Sequence, residues 1–158
     1  MSTFGELVRQ RLPDPWAEAF GGLLGCDVAI CTGRWIGPPP QAWIRGEVCV
    51  GGRRSTVWIG TTRRLAFEIA ARLTLSPLSQ VETWLEGTPP PIVDDAFSEW
   101  GNLALGYLGD VLRRAFGQDA SARAVAGHFG HGPEGGESLD FRMSLAGGGR
   151  GPVRLLFA

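Results

Sequence analysis

Apolar and polar positions follow two distinct periods along this chain. The longest helical period runs from Asp94 to Phe116. There Ala96, Trp100, Ala104, Tyr107, Val111 and Ala115 recur at spacings of three and four, and Phe97, Leu103 and Leu108 widen the stripe. At roughly 100° per residue, the opposite stripe reads Asp95, Glu99, Asn102, Gly106, Gly109, Asp110 and Arg113. A second period, of two, marks residues 138–146: Leu139, Phe141, Met143 and Leu145 face one way, and Ser138, Asp140, Arg142 and Ser144 the other.

The remaining elements follow from shorter signals. Residues 3–12 form a helical segment that Pro13 stops. Asp14 caps a second helix with Pro15 at its first position, and Trp16, Phe20, Leu23 and Leu24 share one face before Gly25 ends it. Asp27–Ile36 reads as a strand, and Gly37-Pro38-Pro39-Pro40 as a loop. Ala42–Val50 and Ser55–Ile59 are strands joined by a tight turn at Gly51-Gly52, with a bulge or local twist expected at Gly46. Thr61 or Thr62 caps a helix that runs to about Leu75, on which Leu65, Ile69 and Leu73 are spaced by four. Ser79–Glu86 is a short helix, and Gly87-Thr88-Pro89-Pro90-Pro91 a stiff link. Ser121–Ala126 and Val153–Phe157 complete the strands. The whole predicts one α+β domain over residues 1–158, an antiparallel sheet with helices packed on one face.

Composition narrows the function. A chain of 158 residues can bury a real core. The net charge of −1 disfavours nucleic acid as the main partner, since such affinity needs clustered positive charge. Cys26, Cys31 and Cys49 lack metal-site spacing, and an odd count fits free thiols in a reducing compartment. His128 and His131 lie among glycines with no helix to fix their spacing, so no metal site is expected. The first residues carry no apolar signal core, and no apolar run reaches about 18 residues. A cytoplasmic protein without a membrane span is expected. No nucleophile elbow, phosphate loop or Cys–His pairing is present.

The polar stripe of the 94–116 helix holds the candidate chemistry. Glu99 and Asn102 are three apart and share a face. Asn102 is the only asparagine in a chain whose basic residues are all arginine. Gly101, Gly106 and Gly109 each cost the helix about 1 kcal/mol against alanine. That cost suggests the close approach of another molecule to the Glu/Asn pair.

The segment Ser98-Glu99-Trp100-Gly101-Asn102-Leu103-Ala104-Leu105-Gly106 resembles the helix motif of the CheX/CheC/FliY chemotaxis phosphatases. There a Glu-x-x-Asn pair, followed four residues later by Gly, lies on an exposed helix face. Glu99, Asn102 and Gly106 match it one by one. The order of elements is similar over nearly the whole chain, and the single motif makes the chain CheX-like. Glu68 is followed three later by Ala71 and Glu6 by Arg9, so neither repeats the pair.

The resemblance implies hydrolysis of the aspartyl-phosphate of a CheY-like response regulator. Asn102 would orient the attacking water, a task suited to an amide that donates, accepts and does not titrate. Glu99 would contact the regulator's active-site lysine. Asp95, Gly106, Gly109, Asp110 and Arg113 would meet the partner. This chain would bring no cofactor, and Mg²⁺ would be held by the regulator. A homodimer is expected from the edge that Ser138–Ala146 and Val153–Phe157 leave at the sheet. The alternatives are a non-catalytic module that binds a response regulator and a dimerisation domain.

Overall fold

The computed structural model describes residues 3–158. Two helices open the chain, α1 (Thr3–Arg11) and α2 (Pro13–Leu24), followed by strands β1 (Val28–Thr32), β2 (Ala42–Val50) and β3 (Arg53–Thr61). Helices α3 (Arg63–Leu73), α4 (Gln80–Glu86) and α5 (Pro91–Phe116) come next, then β4 (Ser121–Phe129), β5 (Glu137–Leu145) and β6 (Arg150–Phe157). The six strands form one sheet in the order β1-β5-β6-β3-β2-β4. Each neighbouring pair is antiparallel.

Alternation within the strands selects the core face. Ile44 and Val48 of β2, Val57 and Ile59 of β3, Leu139, Phe141, Met143 and Leu145 of β5, and Val153 and Leu155 of β6 are all buried. Trp16 and Phe20 of α2, Leu65 and Ile69 of α3, and Phe97, Trp100, Leu105, Leu108 and Leu112 of α5 close over them. Trp16 also donates its indole N–H to the Ala104 carbonyl at 2.8 Å, tying α2 to α5. A smaller cluster of Phe67, Ala70, Ala71, Val81, Trp84, Val93 and Ala96 joins α3 and α4 to the first turns of α5.

The outer face of the sheet is not bare. Trp43 points there, yet it is only 3% exposed. Pro40 accepts its indole N–H at 3.0 Å, and Gly132 lies so close that any Cβ would collide with the ring. The glycine- and proline-rich segments 37–40 and 130–136 thus lie across the middle of that face. Pro39, Pro133, Gly135 and Gly136 border the same spot.

Several expectations are corrected in detail. Pro13 bends the chain rather than stopping it. Leu12 keeps helical torsions, and the Trp16 amide donates to its carbonyl, so the cap at Asp14 is not used. Pro91 takes the first position of α5, which therefore starts three residues before Asp94. The β1 strand is shorter than Asp27–Ile36, whereas β4 continues to Phe129. The largest correction concerns the terminal strand. Because β6 lies between β5 and β3, Val153, Leu155, Leu156 and Phe157 are interior to the sheet and leave no free edge. The free edges belong to β1 and β4. No helix among the described residues is long and apolar enough to cross a membrane.

Candidate functional site: the exposed face of the long helix

The α5 helix lies on the β4 side of the sheet. Its apolar stripe is centred on Phe97, Gly101, Leu105, Leu108 and Leu112 rather than on Tyr107 and Ala115. Tyr107 is half-buried, and Ala115 is exposed. The seam is made of glycines. A Cβ on Gly101 would collide with Ile44, and one on Gly109 would stand 2.9 Å from the Ala122 backbone nitrogen. Leu105 sits over Gly46 of β2, where a Cβ would collide with it. Two of the three helix glycines are therefore explained by helix–sheet approach, without a partner. Gly109 faces β4 and is buried, so its expected place in a partner contact is corrected.

Gly106 is different. It is exposed, and nothing lies within 4 Å of the position its Cβ would take. Asp95, Glu99 and Asn102 are exposed on the same side. Neither the Glu99 nor the Asn102 side chain makes a hydrogen bond or ion pair with another described residue. With Gly106 they form a polar, accessible ridge with free donors and acceptors. Asp110 and Arg113 are half-buried and bound to each other, and Arg113 also donates to the Ala120 carbonyl at 3.4 Å. They anchor the end of α5 to the turn before β4.

The ridge stands on a convex helix and not in a cleft. A hollow of about 820 Å³ lies elsewhere, between α2 and β1, lined by Ala17, Glu18, Gly21, Gly22 and Asp27. A convex ridge suits insertion into a cleft of another macromolecule more than enclosure of a small molecule.

The edge strand β4 carries a bulge. In the pairing of β2 with β4, Arg45 faces Ala126 and Gly46 faces Ala124, which leaves Val125 as the extra residue of a bulge. Val125 is 50% exposed. The available signal was Gly46, where the bulge had been expected.

No protein-family model and no curated protein matches the sequence. Solved structures do. The FliM middle domain of H. pylori aligns with a TM-score of 0.72 at 12% identity, covering 99% of this chain and 93% of that one. The CheX of Vibrio vulnificus gives 0.64 at 15% identity and covers all of both chains. The CheX of Borrelia burgdorferi, solved as a complex with CheY, BeF₃ and Mg²⁺, gives 0.55 at 15% identity, covering 92% and 97%. At these identities the likeness concerns architecture. This chain has the fold shared by CheX, CheC-like proteins, FliY and the FliM middle domain.

Proposed function

We propose that this chain is a phosphatase for the aspartyl-phosphate of a CheY-like response regulator, acting through Glu99 and Asn102. The observation that carries the reading is the exposed, unpartnered Glu99/Asn102 pair beside the open space at Gly106. The fold, shared with a CheX solved on CheY, supports it. The ridge would enter the regulator's active site. A water held by the Asn102 amide attacks phosphorus in line, the bond from phosphorus to the aspartyl oxygen breaks, and the carboxylate leaves with inorganic phosphate as the other product. The leaving group is good, so positioning supplies most of the acceleration. Glu99 takes the regulator's active-site lysine in a charge-assisted contact. Mg²⁺ belongs to the regulator's carboxylates in this scheme.

The same exposed ridge also fits a second reading, a module that binds the regulator without hydrolysis. Phosphate release from a phosphorylated regulator separates the two. Acceleration that Asn102→Ala abolishes supports the phosphatase. Binding without acceleration supports the module.

A homodimer is retained as part of the proposal, but not through the terminal strand. The β1 edge, Val28-Ala29-Ile30-Cys31-Thr32, carries no charge to discourage pairing. It is the edge remote from α5, so pairing there leaves the ridge free.

A further inference from the structure

The long helix begins at Pro91, and this brings into the exposed stripe one residue that the 94–116 spacing leaves out. Ile92 precedes Asp95 by three residues and Glu99 by seven. At about 100° per residue it stands within roughly 20° of Glu99 around the helix axis. Along the axis it is about 10 Å from Glu99 and about 15 Å from Asn102, at about 1.5 Å per residue. Ile92, Asp95, Glu99, Asn102 and Gly106 are all exposed and form one unbroken line over the solvent side of α5. Ile92 is 54% exposed and belongs to neither buried cluster. Leu103, half-buried, lies on the same flank one turn beyond Glu99. Glu99 therefore has an apolar side chain before it and another after it.

We infer that Ile92 is the apolar anchor by which this helix holds the phosphorylated response regulator, and that it meets an apolar spot on the regulator about 10 Å from the cation taken by Glu99. This rests on the proposed reading of the ridge and extends it from chemistry to affinity. Burying the exposed part of an isoleucine against an apolar partner favours binding. So far from Asn102, the contact strengthens binding without entering the reaction. Charge selects the occupant. The line from Ile92 to Gly106 carries Asp95 and Glu99 and no base, and no Arg, Lys or His lies between Arg72 and Arg113 in the sequence. A second copy laid on this face would bring Asp95 and Glu99 against their own counterparts, and like charges so placed repel. A partner that brings a cation fits the same face.

The test uses a CheY-like regulator from the same genome, loaded with beryllofluoride for affinity and with phosphate for turnover. Ile92→Ala removes the apolar surface and raises helix propensity, so thermal melting should show it folded. It should weaken Kd at least threefold while the phosphate-release rate at saturation stays within twofold of wild type. Ile92→Leu, which keeps an apolar side chain of the same size, should bind within twofold of wild type. If Ile92→Ala weakens Kd less than threefold while the Glu99→Ala/Asn102→Ala double variant is impaired, the inference falls and the ridge reading stands. If both variants behave as wild type, both fall. If Ile92→Ala lowers the saturating rate and leaves Kd unchanged, Ile92 is no anchor and the inference is overturned. If it changes only the protein's own mass in solution, the face belongs to a second copy and the inference is likewise overturned.

Discussion

Gly109 of α5 rests on the backbone of Ala122 in β4, with no room for a side chain between them. Three residues earlier, Gly106 faces open space. The same residue type thus serves two purposes within one helix turn, and substitution distinguishes them. Gly101→Ala and Gly109→Ala should each destabilise by about 1–3 kcal/mol, the usual cost of overpacking. Gly106→Ala should stabilise by up to about 1 kcal/mol through helix propensity. Denaturant unfolding of the three variants checks the order. A stabilising Gly109→Ala would show that α5 does not lie on β4 as described.

Leu105 seats over Gly46, and it is fully buried. Leu105→Ala should cost about 2–5 kcal/mol. Because Leu105 is fully buried and cannot meet a partner, phosphate release by the surviving folded fraction should change little. A loss of rate without a loss of stability would place Leu105 in the site itself.

The α3 and α4 helices are joined by Arg64, which hydrogen-bonds Glu82 through both guanidinium ends. That hydrogen bond, aided by the charge, holds the Glu82 carboxyl below its ordinary pKa. A depressed carboxylate stabilises the fold above its unfolded pKa, and that contribution is lost as pH falls through the folded value. The pair is solvent-exposed and screened, so its effect on stability is small. NMR titration should find Glu82 below the ordinary glutamate range, and Arg64→Ala should return it there. An unshifted Glu82 in the wild-type protein would contradict the contact.

The β1 edge makes the dimer testable. Sedimentation should give twice the chain mass, and Ala29→Lys should return the monomer by placing a charge on the edge strand. A monomer for wild type across the micromolar range would remove the dimer from the account.

Much of the architecture was legible because hydrophobic period reports directly on which face is buried. The hairpin at Gly51-Gly52 follows from its turn residues, and both glycines take positive φ, 58° and 77°. The caps at Thr62 and at Gly25 follow from side-chain chemistry and from a left-handed position. Strand order was less legible. A strand's own pattern shows that Leu155 is buried but not which strands flank it, so β6 read as an edge. The role of each α5 glycine was hidden for a related reason. Gly101 and Gly109 have no side chain to mark a buried face, and only β2 and β4 beneath them reveal it. Glu99 and Asn102 were legible because both are polar, share a face and stand in a recognisable motif.

The central claim is tested most directly by single-turnover phosphate release from a phosphorylated CheY-like regulator. Wild type, Asn102→Ala and the Glu99→Ala/Asn102→Ala double variant are compared, each confirmed as folded. Exposed helix positions of this kind change stability by no more than about 0.5 kcal/mol, so folding should not confuse the result. The account predicts acceleration by wild type, loss of most of it in Asn102→Ala with binding retained, and loss of both rate and affinity in the double variant. Equal phosphate release by wild type and the double variant would contradict it.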